Sequence, residues 1–315
     1  MKAIRYSRYG GPDVMEYREV PDPIPGPDEA LIAVEFASVI PGDWKVRSGK
    51  LQDMFPIQFP TTPGRDGAGT VIAVGPNCHW ADIGDQLCFV TNHTEQGSYA
   101  ELVTRPYPMT VPKPENIGFA EASSIMHAGV CAWIGLVETA KIEPGQQVLI
   151  HAGAGAIGGM AIQIAAYIGC NVTATCRAVN TNYVLQLGAD RAIAYDEVDF
   201  SKVVSEQDMV FDLVGGDAHE RSCRVLKTNG ILVWLIANPF QNVAHRYGIR
   251  CKQAHIHDHR ETLERVVGLA SEEKLKPQVS QIMRLKDAAV AHRKLEQGKN
   301  TRGRIVLDVG RTKHA

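Results

Sequence analysis

Hydrophobic and polar positions change their period along the chain. Up to about residue 122 they alternate in short runs, with Leu31, Ala33 and Glu35 interleaved with Ile32, Val34 and Phe36 downstream of the turn-rich stretch 21–27. Val71–Val74 ends at Gly75-Pro76-Asn77, and residues 86–91 and 98–104 are further short runs between turn residues. A period of two bounded by Gly, Pro and Asn predicts strands, so residues 1–122 are expected to form a compact, barrel-type β domain. Ile40–Gly49 and Pro63–Gly69 interrupt the pattern. Their polar, glycine-containing composition predicts loops, where binding groups usually sit on a rigid scaffold.

From residue 119 the spacing turns helical. Ile125, Val130, Trp133, Ile134 and Val137 predict a helix over 119–141, stopped before Pro144-Gly145. Val148–Ile150 is a short apolar run, and Ile157, Met160, Ala161, Ile164, Ala165 and Ile168 then follow at spacings that line one helix face. Gly169 stands at the expected helix C-cap, and 171–176 reads as the next strand. A helix at 180–188, strands at 191–195 and 208–214, a helix at 217–227 and a strand at 230–236 continue the alternation. Strands separated by helices predict an α/β fold with a doubly wound parallel sheet covered on both faces. After about residue 258 come two amphipathic helices, 261–272 and 286–297, and a closing strand, 304–309. Three segments are therefore expected: 1–122, 123–258 and 259–315.

The turn between the apolar run and its helix carries the first candidate chemistry. It reads Gly153-x-Gly155-x-x-Gly158 within a strand–turn–helix–strand unit of about 30 residues, the context a dinucleotide-binding loop requires. Glycines let the backbone approach a pyrophosphate, and the helix start offers unpaired N–H groups and a positive dipole end. A loop that merely packs on its sheet is the alternative, because 29 glycines produce such spacings by chance. An NAD site places an acid about 20 residues on, against the ribose 2′-hydroxyl. Here Thr175-Cys176-Arg177 stands there, with no acid before Asp190. A guanidinium pairs with a 2′-phosphate, so NADPH is the expected cofactor and Arg177 its selector; a solvated surface arginine is the competing reading. Val214 and Ala237 follow further strands of the sheet and should share the crevice with the glycine loop.

Composition narrows the partners. The 315 residues are 44% hydrophobic and 22% charged with a net charge of −2, so no nucleic-acid or anionic-membrane surface is indicated. No uninterrupted run of roughly 18 apolar residues and no signal-peptide core are seen, which makes a cytoplasmic location the expectation. The seven cysteines are scattered without a CxxC pair, which speaks against a disulfide framework and a structural zinc site and suggests small buried residues.

Taken in order, Pro63–Val71, Gly84-Asp85, Pro144-Gly145 with the glycine loop, Leu187–Asp190, Asp212–Gly216 and Arg302–Leu307 resemble the medium-chain dehydrogenase/reductase superfamily, in its zinc-independent quinone oxidoreductase (zeta-crystallin-like) branch. The resemblance spans essentially the whole chain. It implies a GroES-like catalytic domain (1–122), a Rossmann NADP-binding domain (123–258), a C-terminal return to the first domain (259–315) and a homodimer. It assigns Gly153, Gly155, Ala156, Ile157 and Gly158 to the pyrophosphate, Arg177 and Asn180 to the 2′-phosphate region, and Val214 and Ala237 to the nicotinamide side. Tyr195 lines the same phosphate pocket by this resemblance, or is a strand-end core tyrosine.

The metal-dependent branch of that superfamily has Cys at the position of Ile40, His-Glu at Arg65-Asp66 and Cys near His127. Isoleucine cannot ligate and Arg65 brings positive charge, so no metal is expected. On the substrate side the resemblance assigns Asp43 and Lys45 within Ile40–Lys45; Ile40 replaces the family's Asn and Cys131 a usual Thr. Lys45 is expected to hydrogen-bond a carbonyl oxygen and stabilise the charge that follows hydride addition; an Asp43–Lys45 salt bridge or plain exposure is the alternative. His127 is either near the substrate or structural. The implied activity is NADPH-dependent reduction of a quinone or similar small electrophile, with enone or enoyl reduction as the alternative and a non-catalytic NADPH-binding protein as a third.

Overall fold

The structure, a computed structural model, describes residues 1–235 and 244–310. The N-terminal strands are β1 (Lys2–Arg5), β2 (Glu16–Glu19), β3 (Glu29–Val39), β4 (Asp66–Val74), β5 (Gln86–Val90), β6 (Leu102–Pro106) and β7 (Thr110–Pro112). Next come β8 (Gln147–Ile150), β9 (Asn171–Cys176), β10 (Arg191–Ala194), β11 (Gln207–Asp212), β12 (Leu226–Trp234) and β13 (Arg250–Gln253). The last are β14 (Val279–Arg284) and β15 (Arg304–Asp308). Two compact units result: Met1–His127 with Asp258–Ser271 and Pro277–Ala315, and Ala128–His257 with Glu272–Lys276.

In the first unit β3 is the central strand. It pairs antiparallel with β4, β6 and β15, in a sheet that runs β14-β15-β3-β4-β5-β7. Ala30, Ile32 and Val34 alternate inward along β3 and pack with Val71, Phe89, Ile305 and Leu307 in one core. Each such large apolar side chain contributes about 1.5–3 kcal/mol when removed from water. The final strand thus returns to the sheet that the first hundred residues began.

Both stretches expected to be loops are largely regular instead, although residues 63–65 remain irregular. Pro41–Arg47 is a helix, α1: Pro41 sits in its first turn, and the Asp43 carboxylate accepts the Ile40 N–H across 3.0 Å. That acceptor satisfies a helix-start donor, which outweighs the loop-like composition. Asp66–Gly69 belongs to β4. Its glycines serve close packing rather than turning, since a Cβ on Gly67 would stand 2.7 Å from Phe89 Cζ and one on Gly69 would run into the Ala33 carbonyl.

In the second unit the strands are all parallel in the order β10-β9-β8-β11-β12-β13. Counted from β8 as the first, this is 3-2-1-4-5-6, the doubly wound order whose direction reverses between β8 and β11. The loops that leave β8 and β11 therefore lie side by side, and His151 N–H bonds Phe211 O at 3.0 Å there. Helix α2 (Phe119–Trp133) continues as a wider π-type turn, Ile134–Ala140, and stops at Lys141 with φ 57°. Although no continuous apolar run was expected, Phe119–Ala140 is long and apolar enough to cross a membrane; 72% of that window is buried within the protein, as for a core helix. Six of the seven cysteines are buried, Cys251 is half-buried, and all are free thiols.

Candidate active site

The glycine loop joins β8 to helix α3 (Ala156–Ile168). Gly153 N–H bonds Thr175 O at 2.8 Å and Gly155 N–H bonds Ala152 O at 2.9 Å, with Ala152 held at φ 52°. The three glycines do different work. A Cβ on Gly153 would press on Ala174 Cβ at 2.9 Å, and one on Gly158 would collide with the Ala152 carbonyl. On Gly155 it would meet only Ala152 O, at 3.2 Å, and otherwise point into open space. That opening lies at a helix start with no acidic residue in its first turn, where Ala156, Ile157 and Gly158 contribute backbone N–H groups. The cradle fits a pyrophosphate.

At the tip of β9, Arg177 Nε donates to the Tyr195 hydroxyl oxygen at 3.2 Å. Tyr195 is 50% exposed and so is not a core tyrosine. Asn180 is buried, with its N–H on Arg177 O at 2.8 Å, just before helix α4 (Thr181–Gln186). The sequence shows no acid between the loop and Asp190, yet the fold brings one from the turn after the next strand: Asp196 accepts the Ala178 N–H at 2.8 Å and adds negative potential at Arg177. Val214 is half-exposed behind β11, its N–H on Asp212 Oδ1 at 2.9 Å. Ala237 lies outside the described residues.

Two buried polar groups that sequence reasoning missed brace these loops. His151, directly before the loop, meets Thr175 Oγ1 at 3.0 Å and Ser222 Oγ at 2.9 Å. Burial pushes its pKa down to about 4, so it is neutral at physiological pH. Asp212 accepts from Val214 and Gly215 N–H and meets His219 Nδ1 at 2.8 Å. Burial raises its pKa, but those bonds outweigh burial and hold it below the ordinary carboxylate value. A polar residue at the end of an apolar strand was the available signal.

In the first unit, α1 separates the two substrate-side candidates. Asp43 is 2% exposed and points inward, whereas Lys45 is half-buried and makes no ion pair among the described residues. The alternative reading, an Asp43–Lys45 salt bridge, is not formed, because residues two apart face different ways on a helix. Burial, with a smaller push from Lys50, lowers the Lys45 pKa. Asp43 Oδ2 accepts from Tyr99 Oη at 3.0 Å, and Tyr99 Oη lies 3.3 Å from His292 Nε2. His292 Nδ1 is 3.4 Å from Arg47 Nη1, and Arg47 is paired with Glu296. Tyr99, His292 and Arg47 come from three distant parts of the chain and were not expected. Burial raises the Asp43 pKa to about 7.

At Arg65, Asp66 and His127, the positions that the sequence resemblance set against metal ligands, the donors are mismatched to a cation. Arg65 donates to Thr91 O and, through Nη2, to both Asp258 oxygens at 2.8 and 2.6 Å. His127 donates its backbone N–H to Asp66 at 2.9 Å. Burial, then the charges of Arg65 and Arg304, push the His127 pKa well down. The Arg65 and Arg304 charges that add to burial there would also oppose a metal ion.

Residues 26–115 match the family model described as alcohol dehydrogenase GroES-like domain, and 187–307 match zinc-binding dehydrogenase. A chloroplastic quinone-oxidoreductase homolog of Spinacia oleracea is 34% identical over 68% of this chain and 67% of its own length. The NADPH-dependent alkenal/one oxidoreductase of Arabidopsis thaliana is 34% identical over 75% of this chain and 62% of its own. The quinone oxidoreductase structure from Coxiella burnetii superposes with TM-score 0.91 at 33% identity, covering 98% of this chain and 99% of that one. The Escherichia coli quinone oxidoreductase complexed with NADPH gives 0.89 at 25% identity, over 98% and 100%. A structure described as an NAD-dependent alcohol dehydrogenase gives 0.92 at 28%, over the same shares.

Proposed function

We propose that this chain, which belongs to the quinone oxidoreductase branch of the medium-chain dehydrogenase/reductase superfamily, takes hydride from NADPH and passes it to a quinone or similar small electrophile. It is an oxidoreductase with a nicotinamide-dinucleotide-binding fold. The observation that carries the phosphorylated cofactor is the Arg177 guanidinium, held by Tyr195 at the end of β9 where an NAD site has its acid. Asp196 weighs the other way, but its carboxylate is already engaged by Ala178 N–H, and a guanidinium retains further donors for a phosphate.

When bound, the cofactor supplies the hydride; the residues here supply binding and charge. Gly155 and the first N–H groups of α3 hold the pyrophosphate, with Arg177, Asn180 and Tyr195 around the ribose phosphate. The lowered proton affinity of Lys45 brings its ammonium closer to a proton-donating range, which suits a group that hydrogen-bonds a developing oxyanion. Arg65 beside His127 supports a reaction without a metal. The proposal extends to a homodimer, on family resemblance, and to the cytoplasm as its location.

Enone reduction is the second reading. Lysine at position 45 favours it, as does the alkenal/one reductase among the relatives. Stopped-flow mixing of the NADPH-loaded protein with matched quinones and enones separates the two. Faster nucleotide oxidation by quinones is the expected result; oxidation no faster than the protein-free rate with every acceptor would reject a reductase and leave a nucleotide-binding protein.

A further inference from the structure

The hydrogen-bond chain that ends at Asp43 has a fixed direction. A guanidinium only donates, so Arg47 Nη1 donates to His292 Nδ1 and confines the imidazole proton to Nε2. That N–H donates to the Tyr99 oxygen, which leaves the phenolic proton for Asp43 Oδ2. Oδ2 also accepts the Ile40 N–H, so both of its contacts are with donors. When the carboxyl is protonated, its proton therefore sits on Oδ1.

Oδ1 has no hydrogen-bond partner among the described residues, and it faces His93 Nδ1 at 3.9 Å. The two share a small cleft with Tyr6, Thr62, Asn92 and Glu95. The imidazole packs there between Phe55 and Gly42. Phe55 meets it edge-on with centroids 5.0 Å apart, and glycine at 42 is what admits it, since a Cβ would stand 2.9 Å from Nε2. Asp66 and Arg304 also act on Asp43, in opposite senses, and Arg65 on His93. Burial, with Arg65, pushes His93 down to about 3, so it rests neutral and carries a proton only in passing.

We propose that Asp43 and His93 supply the proton that completes the reduction, with Arg47, His292 and Tyr99 as positioning residues. The inference rests on the reductase reading above. Hydride adds to the acceptor, and the electron pair of its C=O bond collects on oxygen. Once the ring tilts to bring Nδ1 from 3.9 Å to hydrogen-bond distance of Oδ1, the new O–H bond forms as the His93 Nε2–H bond breaks, while the Asp43 Oδ1–H bond breaks and Nδ1–H forms. Asp43 then regains a proton from solvent through the same ring, so the sum is acceptor, hydride and one proton. His93 touches the product oxygen; Asp43 acts through it.

Steady-state turnover in light and heavy water, from about pH 6 to 9, tests this for wild type, His93→Gln and Gly42→Ala. Gly42→Ala keeps both ionisable groups, replaces a helical glycine and displaces the ring, with a lesser contact at Ile40 Cδ1, 3.2 Å away. Wild-type turnover should fall as pH rises through about 7, where Asp43 loses its proton, and should show a solvent isotope effect. Both variants should lose that pH limb and about a hundredfold in kcat. Variants that keep the wild-type pH profile and isotope effect overturn the relay alone. Wild-type protein that oxidises NADPH with no electrophile overturns the relay and the reductase reading together.

Discussion

Arg177 donates through Nε to the hydroxyl of Tyr195 across 3.2 Å, so a guanidinium at the end of one strand is held by a tyrosine just beyond the next. This fixes the cation where a 2′-phosphate is expected. Arg177→Glu should lower the NADPH-to-NADH ratio of kcat/KM by at least about tenfold, or roughly 1.4 kcal/mol. Asp196→Asn keeps an acceptor for Ala178 N–H and removes the opposing charge, so NADPH should bind more tightly. Nucleotide titrations of both variants check this.

Gly155 and Gly158 should respond differently to the same methyl group. Gly155→Ala meets only Ala152 O at 3.2 Å and faces open space, so the variant should fold and lose nucleotide affinity. Gly158→Ala drives a Cβ into the Ala152 carbonyl and should lower the melting temperature before any ligand is added. Thermal unfolding with and without NADPH separates the two effects.

Tyr99→Phe removes the hydroxyl that links Asp43 to His292 at 3.0 and 3.3 Å. Two fully buried groups lose a partner, which costs about 1–3 kcal/mol. Denaturant unfolding should show this as a lower midpoint with an unchanged slope.

Acid should destabilise the fold from below about pH 6.5. Burial lowers His93 and His292 to about 3 and His151 to about 4, so the unfolded chain binds protons there that the native state does not. His127 acts in the same direction. Asp43 and Asp66 are raised and oppose this, because the native state holds their protons to higher pH. Four imidazoles against two carboxyls leave a net uptake of protons on unfolding near pH 5, so the melting temperature should fall between about pH 6.5 and 4. A melting temperature that rises over that interval would contradict the assignment.

Lys45→Ala should reduce kcat/KM for an enone at least about tenfold while NADPH affinity stays unchanged. Lys45 belongs to the first unit and the nucleotide loop to the second, so the two readouts are separable. An unchanged kcat/KM would remove Lys45 from the chemistry.

Elements with strong periodicity were legible in the chain itself. The i, i+3, i+4 pattern from Ile157 to Ile168 predicts α3 closely, and β9 falls on 171–176 as read. Local composition misled where one residue changes the outcome. Ile40–Gly49 reads as a loop until Asp43 caps the helix, and Gly67 and Gly69 read as turn residues until Phe89 and Ala33 pack against them. The Arg47–His292–Tyr99–Asp43 chain joins residues up to 249 positions apart in its Arg47–Glu296 anchor, and no local pattern encodes such a contact. Asp196 is the same lesson at the nucleotide site, a residue distant in sequence from the loop and set beside Arg177 by the sheet.

The specificity constant of the purified protein for NADPH against NADH, measured with a single quinone as acceptor, tests the account most directly. A preference for NADPH of about tenfold or more that collapses in Arg177→Glu is the predicted result. Equal use of the two nucleotides, or a preference for NADH, would contradict it.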